Sequence, residues 1–147
     1  MTFAFIGNRM AVLNEMLLMG LYTIVIPIST RKDTIERIKW TNFDVLVSNG
    51  CPYILPISEI RRDGQIFVNI HPSLLPDLKG KSPILEAIKQ HTPFGATCHL
   101  MVDEVDSGKI LSQVRYEADR DDLNDCYRKS YLAEAKAFLL AYKGGFV

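Results

Sequence analysis

The stretch Asn69-Ile70-His71-Pro72-Ser73-Leu74-Leu75-Pro76, entered from Ile66-Phe67-Val68, decides the fold of the chain around it. Ile66 to Ile70 predicts a strand, and Pro72 and Pro76 stiffen the loop that follows. Side chains alternate along a strand, so Asn69 and His71 leave it on the same side. An amide and an imidazole then stand together at a strand end, where open α/β sheets bind their ligands. Further along, Val102-Asp103-Glu104-Val105-Asp106-Ser107-Gly108 supplies the carboxylate of Asp106 in a tight acidic loop closed by Gly108. These three groups suit acyl transfer. The amide donates to a developing oxyanion, the imidazole donates or shuttles a proton, and the carboxylate holds the imidazole protonated. On spacing alone, an Asn-x-His at a strand end is more often a satisfied turn than a catalytic pair.

Outward from this strand, the pattern predicts βαβ units. Thr2 to Ile6 reads as a first strand and Gly7-Asn8-Arg9 as its turn, with Asn8 as a helix N-cap and anion binding at that helix end as the alternative. Met10 to Met19 carries apolar residues at helical spacing, with Gly20 as its C-cap. Leu21 to Ile28 reads as a second strand, and Pro27 suggests an edge position or an exit. Thr30 with Asp33 resembles a capping box ahead of a helix through Ile35, Ile38 and Lys39. Phe43 to Ser48 is a third strand, followed by a loop (Asn49 to Pro56) entering a short helix. The β-α-β-α-β order argues for a parallel, Rossmann-like sheet.

Beyond Asn69, Gly80-Lys81-Ser82-Pro83 opens a helix with proline in its first turn. Pro93 to Val102 and Lys109 to Tyr116 read as strands. Asp121 to Tyr142 reads as the longest helix, with Leu123, Tyr127, Tyr131, Ala135, Phe138 and Tyr142 as its apolar stripe and Gly144-Gly145 as its end. Such a stripe suits core packing or a homodimer contact. Mutual repulsion among Asp103, Glu104 and Asp106 is expected to raise the pKa of one of them. No His or Cys lies near enough in sequence to complete a metal-ligand set with them.

The bulk numbers set limits. The 147 residues suit one domain with one core. Lys plus Arg and Asp plus Glu balance at 17 each, which points to neither nucleic acid nor a membrane surface. The N-terminus lacks the basic segment of a signal peptide. Cys51, Cys98 and Cys126 are scattered and odd in number, as expected of reduced thiols in a cytoplasmic protein.

Asn69 to Pro76 resembles the signature of the folate-dependent formyltransferases, which include glycinamide ribonucleotide transformylase, methionyl-tRNA formyltransferase and the sugar-nucleotide N-formyltransferases. The family pattern is Asn-x-His-Pro-Ser-Leu-Leu-Pro with a glycine shortly after it, here Gly80. Gly-x-Thr/Ser-x-His follows, here Gly95-Ala96-Thr97-Cys98-His99. An Asp-x-Gly loop comes last, here Asp106-Ser107-Gly108. The resemblance runs from about Asp44 to Tyr142, and before that only the general βαβ order matches.

The resemblance implies a Rossmann-like formyltransferase fold, its mostly parallel sheet covered by helices on both faces and its N-terminal half shortened. It implies one catalytic domain over residues 1–147, with 10-formyltetrahydrofolate as formyl donor and no metal. Asn69, His71 and Asp106 become the catalytic residues, with Asp106 keeping His71 charged and taking up the proton that the attacking amine loses. Pro52, Tyr53, Ile54 and Leu55, with Met101, Val102, Asp103 and Val105, become the folate-binding residues. Pro52 to Leu55 also have the apolar chemistry that a flat heteroaromatic ring demands. Ser73, Lys79, Gly80 and Lys81 become the acceptor-binding residues, with His99 and Thr97 supporting the site from behind.

The implied acceptor is a small primary amine. The Gly7-Asn8-Arg9 turn does not reproduce the Gly/Ser/Asn-rich loop that holds the phosphate of glycinamide ribonucleotide in that branch of the family. Gly80-x-Ser82-Pro83 leans toward an amino-sugar nucleotide. A tRNA acceptor is not expected, because no further domain follows the last helix. Hydrolysis of the formyl donor, or a binding module without catalysis, are the alternatives.

Overall fold

Each segment whose pattern predicts a strand pairs into one six-stranded sheet in the computed structural model, which describes residues 1–147. The strands are β1 (Phe3–Ile6), β2 (Thr23–Val25), β3 (Val45–Ser48), β4 (Ile66–His71), β5 (Phe94–Leu100) and β6 (Ile110–Tyr116). The helices are α1 (Ala11–Leu18), α2 (Arg31–Trp40), the short α3 (Ile57–Ile60), α4 (Pro83–Gln90) and α5 (Leu123–Lys143). The spatial order is β2-β1-β3-β4-β5-β6. The first four strands are parallel, and β4-β5 and β5-β6 are antiparallel. This is the Rossmann-like α/β arrangement that the sequence pattern predicts. No helix is long and apolar enough to cross a membrane.

Period-two alternation divides the interior into two layers. Phe3, Phe5, Val45, Val47, Val68 and Ile70 face α1 and α5, while Ala4, Ile6, Leu46 and Phe67 face α2 and α3. Parallel central strands are buried on both faces, which explains their unbroken apolar runs. A third cluster (Ile84, Ala87, Phe94 and Cys126) seats α4. The three cysteines are free.

Three local expectations need correction. The second strand pairs only over Thr23–Val25, at the edge that Pro27 suggests. Asn8 does not cap α1. The cap position is Met10, without a side-chain bond, because the Asn8 and Arg9 amides are drawn instead to the carbonyls of Gly50 and Asn49, at 3.1 and 3.2 Å. On α5 the buried stripe is Cys126, Ser130, Ala133, Glu134, Ala137, Phe138 and Ala141, so Leu123 and Tyr131 are exposed. Small residues at four-residue spacing let this helix lie close against the sheet, which the larger aromatic stripe would not. By contrast, Thr30 caps α2 as expected, its hydroxyl accepting from the Asp33 amide at 3.1 Å, and Pro83 occupies the first turn of α4.

Candidate active site

At the ends of β3, β4 and β5 lies a cavity of about 700 Å³. The β4-β5 register pairs Asn69 with His99 and His71 with Thr97. Asn69 and His71 therefore emerge beside His99 where the sheet turns from parallel to antiparallel. The loop after β5 brings Asp106 to the same place. Its Oδ2 lies 3.4 Å from His71 Nδ1 and its Oδ1 lies 3.5 Å from His99 Nε2. Asn69, His71, His99 and Asp106 all line the cavity.

Hydrogen bonding fixes the ring orientations. His99 Nδ1 faces the Leu100 carbonyl at 2.9 Å, so it carries the hydrogen and donates. In the neutral ring, Nε2 then accepts from the Asn69 side-chain amide at 3.2 Å. This uses one hydrogen of that amide and leaves the second for a group in the cavity. His71 Nε2 donates to the Leu78 carbonyl at 2.8 Å. Nδ1 is thus the ring nitrogen without a close partner.

The expectation that Asp106 holds His71 protonated is corrected here. Burial pushes the His71 imidazole below its ordinary pKa of 6.5, and Asp106 and the Leu78 carbonyl only partly offset this. A charge-assisted N–H···O bond is about 2.7–2.9 Å long. The 3.4 Å gap to Asp106 fits a neutral ring with a lone pair on Nδ1. Asp106 does not have its pKa raised by its acidic neighbours either. Burial works against its charge, but hydrogen bonding, including that from the Gly80 amide at 2.9 Å, holds it below the ordinary carboxylate range. Asp103 also lies below that range, because its side chain accepts from the Ser58 hydroxyl and from the Ser58 amide, the latter at 2.9 Å.

All eight residues named for the folate pocket line the cavity: Pro52, Tyr53, Ile54, Leu55, Met101, Val102, Asp103 and Val105. Ile54 is 63% exposed, and Val102 and Val105 are also exposed. Apolar side chains held open to solvent around a cavity are surfaces that a ligand covers. Of the acceptor group, Gly80 and Lys81 line the cavity, while Ser73 and Lys79 do not. Ser73 is buried and donates to the Asp77 carbonyl, and Lys79 reaches Ser107 at 3.2 Å. Thr97 is also outside the cavity. Its hydroxyl donates to the Ser73 carbonyl at 2.7 Å and accepts from the Leu75 amide at 3.1 Å, pinning the loop after β4 to the sheet.

Arg9 and Tyr127 also line the cavity and were not expected there. Arg9 pairs with the wholly buried Glu134. A lone arginine in a turn and a glutamate in a helix carry no pairing signal in sequence.

The acidic loop has little freedom at its closing residue. A Cβ on Gly108 would sit 1.7 Å from the Leu100 carbonyl oxygen, while the Leu100 amide is tied to the Lys109 carbonyl at 2.9 Å. Gly108→Ala must therefore push the loop, and Asp106 with it, away from β5. A misplacement of about 1 Å at a reacting centre costs on the order of a hundredfold in rate. Steady-state kinetics of this variant should show a loss of that order.

The family described as formyl transferase matches residues 28–142. Formyltetrahydrofolate deformylase 2, mitochondrial, of Arabidopsis thaliana is 33% identical over 114 residues, covering 76% of this chain and 34% of that protein. Methionyl-tRNA formyltransferase of Bacillus mycoides (strain KBAB4) is 35% identical over 123 residues, covering 80% of this chain and 38% of its own. The chain thus spans little more than a third of the length of these curated relatives. Among solved structures, the formyltransferase PseJ from Anoxybacillus kamchatkensis, in complex with UDP-4,6-dideoxy-4-formamido-L-AltNAc and tetrahydrofolate, superposes with a TM-score of 0.75 at 22% identity, covering 97% of this chain and 75% of that one. Phosphoribosylglycinamide formyltransferase from Anaplasma phagocytophilum superposes with a TM-score of 0.73 at 24% identity, covering 92% and 80%. These likenesses establish the shared fold.

Proposed function

This chain belongs to the formyl transferase family, and we propose that it moves a formyl group from 10-formyltetrahydrofolate to a primary amine of a small acceptor, acting as a single catalytic domain. The observation that carries the reading is the cluster of Asn69, His71, His99 and Asp106 at the end of a cavity whose other wall is apolar. That wall suits a flat heteroaromatic ring, and the polar cluster suits the reacting end. The donor supplies an activated formyl group.

In this reading the free hydrogen of the Asn69 amide points to where negative charge grows on the formyl oxygen. Neutral His71 takes the proton of the attacking amine on Nδ1. Asp106 stabilises the imidazolium that results, and does not create it beforehand. The same proton then passes to the leaving nitrogen, so one imidazole serves as base and then as acid. His99 orients the Asn69 amide. Lys81 and Gly80 lie on the acceptor side. An amino-sugar nucleotide is the preferred acceptor, supported by Gly80-x-Ser82-Pro83 and by the sugar nucleotide named in the PseJ complex. The Asn8 and Arg9 amides, occupied by backbone carbonyls, weigh against a phosphate in that turn. Hydrolysis is the second reading, because one relative at 33% identity is named a deformylase.

The test is a spectrophotometric assay of tetrahydrofolate release with 10-formyltetrahydrofolate and a panel of amines: amino-sugar nucleotides, glycinamide ribonucleotide and free amino acids. Release that depends on one amine and on His71 supports the transferase. Release without amine supports hydrolysis, and donor binding without release overturns both. The pH profile adds a sign. Nδ1 must be unprotonated to act, and burial holds His71 below 6.5. The rate should therefore fall as pH drops through that lowered value and stay level from there to neutrality. A rate that climbs on acidification would reverse the assigned role.

A further inference from the structure

We propose that Glu134 is a positioning residue of the site, holding the end of β4 in place through Asn49. The carboxylate is 0% exposed on α5. It accepts from Arg9 Nε at 2.7 Å, Arg9 Nη2 at 2.6 Å, Asn49 Nδ2 at 3.0 Å and the Ser130 hydroxyl at 2.8 Å. The Asn49 amide also donates to the Ile70 carbonyl at 3.2 Å, and Ile70 is the residue between Asn69 and His71. The β3-β4 ladder ends at the pair Ser48 and Asn69. Beyond it, the Asn49 side chain takes the next carbonyl, and Glu134 holds that side chain.

The first strand ends at the same place. A Cβ on Gly7 would lie 1.9 Å from the Asn49 carbonyl oxygen, and Arg9 donates its amide to that carbonyl. The ends of β1, β3 and β4 thus meet through Arg9, Asn49 and one carboxylate from α5. Stability alone does not account for this. A buried ion pair can often be replaced by apolar side chains of similar volume at no loss. What the apolar version lacks is a group that fixes the Asn49 amide, and through it the Ile70 peptide plane. The rotation of that plane sets where Asn69 and His71 stand. Glu134 touches no reacting atom. Its negative charge, like that of Asp106, favours the protonated His71 ring, whereas His99, the other titratable group that faces the ring, disfavours it.

The kinetic part of the test rests on the formyl-transfer reading, and the titration part does not. Glu134→Gln, Asn49→Ala and the double variant are compared with wild type in the full chain. Each single change should lower kcat roughly ten- to a hundredfold through misplacement, with KM for the formyl donor changed less than about twofold. The double variant should be no slower than the slower single one, because both act through one link. Losses that multiply in the double variant, or a kcat within about twofold of wild type in the singles, overturn the proposal. The His71 titration is followed by NMR without substrate. Glu134→Gln should move it to lower pH, since a negative charge is lost and Arg9 is left uncompensated. An unchanged titration overturns the proposal even if no amine is ever accepted. If Glu134→Gln does not fold, Arg9→Met with Glu134→Leu keeps the volume without either charge and is read by the same kinetics.

Discussion

Replacing Asn69 with Ala should slow formyl transfer by about a hundredfold or more, the usual cost of one lost oxyanion donor, while the fold stays intact. Asn69 is only half-buried at the end of β4 and belongs to neither apolar layer. Its removal leaves the His99 Nε2 lone pair without a donor, and that nitrogen lies beside the cavity. The loss should therefore fall on kcat, with KM for the donor nearly unchanged, as for an interaction made only in the transition state. His71→Ala should be at least as damaging, because base, acid and charge stabilisation are lost together. Single-turnover kinetics separate these effects from product release. A rate within a few-fold of wild type in either variant would sink the assignment of the site.

The second large effect is on stability. Glu134→Leu alone strips the partner from Arg9, whose side chain is only 19% exposed. Breaking a buried pair by removing one partner costs about 3–5 kcal/mol. For a chain of this length that corresponds to a fall in Tm on the order of 10 °C, readable in a circular dichroism melt. Arg9→Met with Glu134→Leu should recover most of that loss, since the desolvation of both charges disappears with them. Equal melting points for the single and double variants would show that the pair contributes nothing by itself. A double variant that melts like wild type but turns over slowly would separate geometry from stability.

Features carried by local pattern were legible in the sequence. Six apolar runs predicted six strands, Thr30 with Asp33 predicted a cap, and period two predicted that Asn69 and His71 stand together. Asp106 lies 35 positions from His71, and no local pattern joins them. Resemblance alone put it in the site, and the antiparallel return of β5 brings it there. His99 was read as support, and the structure places it at the cavity in contact with Asn69 and Asp106. Ser73 and Lys79 were placed too close to the chemistry, because a loop sequence does not say which side chains turn inward to hold the loop. Glu134 was not legible at all, because in a helix it reads as one more solvated charge. Its burial depends on an arginine 125 residues away. The charge state of His71 was misread for a related reason. A nearby carboxylate is visible in the motif, but desolvation depends on the packing around it.

The backbone of Asp106 has φ +54°, a left-handed conformation that glycine adopts without cost and other residues do not. It is retained because the Gly80 amide grips the carboxylate at 2.9 Å with two imidazoles close by. At this one position, ease of folding and chemistry oppose each other. A lineage released from selection for turnover would relax by drifting to glycine there, gaining robustness as it lost the charge. Among descendants of this fold, an unusually heat-tolerant chain with glycine at this position would be one that has given up catalysis.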